Sequence, residues 1–163
     1  MRRFLLLALL SLLAACATPV NDQRLVVGHS TVAQAETFYG KPTRIWPEPD
    51  GGQTLEYGQQ PFGEHCYLVR FDAEGHLISS RDGLAPAERV KIMPGMSVEQ
   101  VERLLGHERT RVFFRFSGED VWDWSVTPPS IGYWLRFNVH FKDGVVVRTT
   151  ETLIDPDRRR FFD

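Results

Sequence analysis

The chain has 163 residues, 42% hydrophobic and 25% charged, and 19 Lys and Arg against 21 Asp and Glu leave a formal net charge of −2. That apolar content suits a chain able to bury a core and excludes a disordered one. The near balance of charge excludes a nucleic-acid partner held by a basic surface.

The first residues set a compartment. Arg2 and Arg3 form a basic start, and Phe4 to Leu13 is apolar except for Ser11. This run is too short to span a bilayer, which takes ~20 apolar residues as a helix. It reads as the core of a signal peptide over residues 1–15. Leu13-Ala14-Ala15-Cys16 resembles the lipobox of bacterial lipoproteins. The resemblance implies cleavage before Cys16, a diacylglycerol on its sulfur and a fatty acid (palmitate) on its new amino group. Stable anchoring takes more than one acyl chain, so residues 16–24 are expected to tether the protein permanently to lipid. Ala17, where an Asp could stand, resembles the sorting pattern of lipoproteins sent to the outer membrane, here on its periplasmic face. With Cys16 acylated, Cys66 has no cysteine to pair with. It lies in "EHCYLVRF", an expected strand, and is expected as a buried structural thiol.

The remainder contains one pattern twice. Thr31-x-x-Gln34 and Ser97-x-x-Gln100 both have the spacing of a capping box. Val32, Ala35, Phe38 and Tyr39 then match Val98, Val101, Leu104 and Leu105, each set on one helical face. Both runs stop at a glycine, Gly40 and Gly106, expected in a left-handed helix-ending conformation. Strands are expected after each glycine. In the first pass they fall at Arg44 to Trp46, Gln53 to Tyr57, Cys66 to Phe71 and Leu77-Ile78. In the second they fall at Arg111 to Phe116, Val121 to Val126, Tyr133 to Phe141 and Val145 to Thr149. The Asp143-Gly144 pair between alternating runs is a hairpin signal. Single-turn helices are expected around Pro19–Arg24 and Pro86–Val90. The reading is α+β: two tandem helix-plus-antiparallel-meander units at 25–82 and 93–155, with helices packed on one face of the sheet. A polar connector at 83–92 joins them, and a tail at 156–163 follows. Units of this size are marginal alone, so they are expected to pack together or to share one sheet.

The second pass, Gly95-Met96-Ser97-x-x-Gln100-Val101-x-x-Leu104-Leu105-Gly106, then Trp122-x-Trp124, then Leu135-x-Phe137-x-Val139-x-Phe141-x-x-Gly144-x-Val146, resembles the SmpA/OmlA/BamE-like outer-membrane lipoprotein family. That family belongs to the wider group of beta-lactamase-inhibitor-protein-like folds. The first pass keeps Thr31, Gln34, Gly40, Pro42, Tyr57, Phe71 and Gly75 but has His29-Ser30 in place of Gly-Met. The two passes read as a tandem duplication, which departs from the single-unit assembly factor of that family. The resemblance implies a non-enzymatic envelope lipoprotein acting through protein contacts in outer-membrane integrity or barrel-protein assembly. The alternative it leaves is a periplasmic inhibitor or ligand-binding module.

Reactive constellations are not legible. The five histidines form no i, i+4 pair and no metal spacing, and no nucleophile elbow, phosphate loop or dinucleotide fingerprint occurs. No enzyme activity, metal or cofactor is therefore expected. His65 and Cys66 are adjacent on an expected strand and point apart. Glu119-Asp120 is expected in a solvated turn, and Asp123 in an ion pair with an Arg on a neighbouring strand. Binding is expected on a sheet face. If Tyr133, Leu135, Phe137, Val139 and Phe141 point to the core, Trp134, Arg136 and His140 point away. Val112, Phe114 and Phe116 are expected inward, placing Phe113 and Arg115 on the same outer face. These five, Phe113, Arg115, Trp134, Arg136 and His140, are the candidate contacts with an envelope protein, because Trp and Arg are enriched at interfaces.

Overall fold

The computed structural model describes residues 25–155. The Cys16 anchor, the turn expected around Pro19–Arg24 and the tail at 156–163 lie outside the described residues.

Two units recur in one order. The first is α1 (Val32–Tyr39), β1 (Arg44–Pro47), β2 (Gln53–Gly58), β3 (Cys66–Phe71) and β4 (Leu77–Asp82). A short helix α2 (Pro86–Arg89) follows, with proline at its start where a missing N–H costs nothing. The second unit is α3 (Val98–Leu105), β5 (Thr110–Phe114), β6 (Glu119–Val126), β7 (Trp134–Lys142) and β8 (Val145–Ile154). Each meander forms its own four-stranded antiparallel sheet, β1-β2-β3-β4 and β5-β6-β7-β8. The sheets are separate and do not merge.

The repetition extends to backbone detail. Both helices carry a complete capping box. In both units the segment before the helix pairs with the start of the fourth strand, through Thr31 with His76 and Ser97 with Val145. Both third-to-fourth strand ladders shift register at the same place, Arg70/Phe71 and His140/Phe141. Asp143 and Gly144 both have positive φ, as a two-residue hairpin turn requires.

The helix ends differ from expectation. Gly40 (φ 85, ψ −161) and Gly106 (φ 77, ψ −169) are not left-handed helical. They sit in a region open essentially to glycine alone, which turns the chain straight into an extended strand.

The layers run α1, first sheet, α3, second sheet. Ala35, Leu55, Tyr57, Val69, Phe71 and Leu77 form the core between α1 and the first sheet. The larger core combines Val101 and Leu105 of α3 with Trp122, Trp124, Phe137, Val139 and Phe141, and it also takes Cys66 and Leu68 from the back of the first sheet. Helix α3 is therefore shared by both sheets, whereas α1 serves one. The consequence is visible at matched positions: Phe38 of α1 is 53% exposed, while its counterpart Leu104 in α3 is half-buried against the shared core. The 83–92 segment is not merely a polar connector, because Leu84 and Ile92 are buried in the shared core.

Two glycines permit this approach. An added Cβ at Gly106 would overlap Cys66 Sγ and press on the Glu56 carboxyl, and one at Gly83 would meet the Leu104 carbonyl. Around Gly106 the polar groups are matched as well. The Trp124 indole donates to the Gly106 carbonyl (3.1 Å), and the buried Glu56 accepts from the His107 amide (2.8 Å) and from Trp46 Nε1 (3.1 Å). Arg81 closes the C-terminal end of α3 by donating to the carbonyls of Leu104 and Arg103 (2.8 and 2.9 Å).

Gly40 has open space where its Cβ would be. Gly40→Ala should therefore cost only backbone strain, about 1–3 kcal/mol. Gly106→Ala adds overlap in a packed core and should cost about 1–3 kcal/mol more. Urea unfolding of the two variants side by side checks the difference, and equal losses would contradict the packing at Gly106.

Candidate functional site

The repeat relates faces as well as elements. In the first sheet, residues 55, 57, 69 and 71 face α1, and the opposite face, with Glu56, Cys66 and Leu68, receives α3. In the second sheet Trp122, Trp124, Val139 and Phe141 face α3. Its opposite face is thus the counterpart of the face that grips α3, and it is the last surface in the stack.

That outer face is built by register. Thr110, Val112 and Phe114 of β5 lie opposite Asp123, Val121 and Glu119 of β6, and Asp123 and Val121 continue to Asn138 and His140 of β7. Two ion-pair groups occupy it. Asp123 accepts from Arg109 Nε (2.6 Å) and the Thr110 hydroxyl, and Arg136 donates to Ser125 Oγ (2.7 Å) while standing 4.0 Å from Asp123. The ion pair expected for Asp123 is therefore present. Glu119 accepts two hydrogen bonds from Arg148 (2.6 and 2.7 Å) and lies 3.0 Å from His140 Nδ1, whose Nε2 reaches Thr150 Oγ1 at 2.9 Å. Hydrogen bonding from Arg148, then from His140, holds the Glu119 carboxyl below its ordinary range. Glu119 is not in a solvated turn. It opens β6 and is buried, because the strand begins two residues earlier than the sequence pattern suggests.

The candidate contacts divide. Trp134, Arg136 and His140 of β7 lie on the outer face as expected. Phe113 does not. It lies opposite Asp120, on the same side as Arg111 and Trp122. Arg115 falls in the turn after β5 and belongs to neither face. The reason is that β5 is an edge strand exposed on both sides, so its apolar alternation carries no burial information. Pairing with β6 decides instead, and Arg111 packs over the Trp122 ring at 3.7 Å. Val112 and Phe114 take the outer positions, 47% and 51% exposed, and Trp134, at 45%, lies towards the other end of the same face. Tyr133 likewise lies in the turn before β7 rather than in the core.

Other polar groupings have local explanations. Glu102, His107 and Glu108 come close enough together to suggest a cation site. Three of the four carboxylate oxygens, however, are engaged by Arg44 (3.2 Å from Glu102) and by Arg111, which pairs with both Glu102 and Glu108, while Glu108 Oε2 faces His107 Nδ1 at 3.4 Å. A divalent ion would have to displace two guanidinium groups, so the donor set favours an ion-pair cluster. Burial works against ionisation of Glu108, yet the hydrogen bond from Arg111 overrides it and holds that carboxyl low. His65 pairs with Asp82 (2.7 Å), not with Cys66. Burial, with Glu56 adding to it, pushes the Cys66 thiol far above its usual range, which leaves no thiolate to react.

Apolar space also opens on the inner face of the second sheet beyond α3. A groove of about 670 Å³ is lined by Pro86, Arg89, Pro128, Leu135, Glu151 and Leu153. Arg89 bridges it, 3.3 Å from Glu151.

No protein-family model matches the chain, and no curated protein matches it in sequence. Among solved structures it is similar to a candidate beta-lactamase inhibitor protein from Streptococcus mutans, at 11% identity and a TM-score of 0.31 over 81% of this chain and 88% of that one. It is also similar to a DUF4309 family protein from Bacillus subtilis, at 16% identity and a TM-score of 0.30 over 82% and 83%. Likenesses this distant carry no argument about function. The reading of the site rests on the chain's own geometry.

Two measurements test that geometry. Cys66 in the folded protein should be alkylated by iodoacetamide at least ~100-fold more slowly than after unfolding, in a Cys16→Ser chain where it is the one thiol. Because the Glu119 carboxyl is held low, its stabilising contribution is present above the ordinary carboxylate range and is lost as pH falls through its folded value. Arg148→Met should therefore lower the urea midpoint more at about pH 7 than at about pH 3.

Proposed function

We propose that the protein is a lipid-anchored envelope protein, without enzymatic activity, that works by holding a protein partner on the outer face of its second sheet. The observation that carries this reading is the repetition of faces. The first sheet uses its back face to hold α3, through Glu56, Cys66 and Leu68. The second sheet presents the corresponding face with Val112, Phe114 and Trp134 about half exposed around a polar centre. Exposed aromatic residues around prearranged ion pairs suit a partner surface that is neither wholly apolar nor strongly charged. The signal-like residues 1–15 and the lipobox ending at Cys16 support attachment to the outer membrane with the domain in the periplasm. The motifs shared with SmpA/OmlA/BamE-like lipoproteins support a part in outer-membrane integrity or barrel-protein assembly.

A second reading has its own observation. The inner groove beside Arg89 and Glu151 has an apolar floor with a few polar groups, the composition of a ligand or inhibitor surface. On this reading the protein is a periplasmic inhibitor or ligand-binding module.

Photo-crosslinking from position 112, an exposed outer-face position, in intact membranes separates the two. The first reading expects one envelope protein to be trapped. Phe114→Ser and Trp134→Ala should each weaken its capture by about tenfold or more, and Phe113→Ser should have a smaller effect. Folding stability should change little, by about 0.5 kcal/mol or less, as is usual for surface positions. Failure to trap any envelope protein, together with stoichiometric inhibition of a periplasmic hydrolase by the lipid-free chain, would replace the first reading with the second.

A further inference from the structure

One polar cavity lies between the first sheet and the C-terminal turn of α3. Its floor is a single row across all four strands, in which Trp46 pairs with Thr54, Thr54 with Arg70, and Arg70 with Ser79. Arg81 from the next row and Arg103 from α3 complete the walls around about 200 Å³.

Among the lining side chains, guanidinium groups outnumber carboxylates. Three guanidinium groups, from Arg70, Arg81 and Arg103, face a single lining carboxylate, Glu48. Asp50, Glu88 and Glu99 pair with these arginines from outside the cavity lining. Glu48 is partly engaged as well, accepting from the Thr54 hydroxyl at 2.6 Å and standing 3.9 Å from Arg103.

The donors are held in place. Arg81 is fixed by Glu88 and by two carbonyls at the end of α3. Arg103 is fixed by Glu99 and by the Trp46 ring, 4.8 Å from its guanidinium carbon. Arg70 gives one terminal nitrogen to Asp50 at 2.6 Å, but its Nε is buried with no hydrogen-bond partner among the described residues. A buried N–H donor without an acceptor is costly and uncommon. Planar guanidinium groups are suited to oxyanions, which can accept two hydrogen bonds from one fork. The volume is below that of a typical cleft for larger ligands.

We infer that this cavity is a binding site for a small phosphate-type oxyanion, held by Arg70, Arg81 and Arg103 with the Ser79 hydroxyl as a further partner. The site stands apart from the outer face of the second sheet and does not rest on the partner-binding reading. Its phosphate could be the free ion or the phosphomonoester of a headgroup or sugar, since both offer the same oxygens.

Calorimetric titration of the full-length protein in detergent with inorganic phosphate, against sodium chloride at matched ionic strength, tests the inference. Saturable binding with a dissociation constant of about 1 mM or tighter is expected with phosphate only. Arg70→Lys keeps the charge and removes the Nε donor, and should weaken binding about tenfold. Glu48→Gln removes the opposing carboxylate and should tighten binding several-fold, a gain that misfolding cannot mimic. Lys142→Gln, exposed at the end of β7, should leave binding unchanged. Stronger binding of glycerol 3-phosphate than of phosphate would support a phosphomonoester ligand, and the reverse would support the free ion. Absence of a saturable phosphate response, or equal affinities in the native protein, Arg70→Lys and Glu48→Gln, would overturn the site.

Discussion

The contact on which the architecture depends is the close approach of the Gly106 peptide to the back of the first sheet. At this point α3 ends, β5 is about to begin, and two sheets must share one helix. The side chain absent from Gly106 leaves room for Cys66 Sγ and the Glu56 carboxyl. The exposed peptide groups are then matched, with Trp124 donating to the carbonyl and Glu56 accepting the next amide. Buried polar groups are costly unless they find such partners. Packing and hydrogen bonding therefore act on the same few atoms, and the order of the layers follows from their agreement.

This explains why two repeats with one pattern have different surroundings. Gly40 and Gly106 have nearly the same backbone angles, yet one faces open space and the other the shared core. Glu56 and Asp123 occupy equivalent positions on the second strands of their sheets. Glu56 is enclosed by the following unit, at 0% exposure, whereas Asp123 meets only arginines and a hydroxyl from its own unit. Duplication thus supplies a used face and an unused copy of it. The proposed partner surface is that copy, while the proposed anion cavity lies on the used face, where α3 stops short of covering the sheet.

Much of the scaffold was legible because its signals are local. The capping boxes, the closing glycines and the strict alternation of Leu135, Phe137, Val139 and Phe141 depend on near neighbours in the chain, and all appear where the pattern placed them. The errors fall where local pattern loses meaning. Along β5, apolar residues occupy both faces of an edge strand, so alternation could not say which of Val112 or Phe113 looked outward; pairing with β6 did. Glu119 resembled a turn residue because its two partners, His140 and Arg148, are 21 and 29 residues away. The row of Trp46, Thr54, Arg70 and Ser79 was equally illegible, since each residue comes from a different strand.

By itself the sequence determined that the protein has two helix-plus-meander units, where their helices start and stop, and which β7 residues point away from the core. Those properties are set by dihedral preference, capping and a period of two, which act over a few residues. Tertiary structure alone decided that α3 would be shared, that the sheets would remain separate, and that one face of each sheet would have a different fate. Those outcomes depend on contacts between distant segments, such as Gly106 against Cys66 and Gln60 spanning both backbone groups of Ser125. No local pattern encodes such contacts, because neither partner has a distinctive neighbourhood of its own.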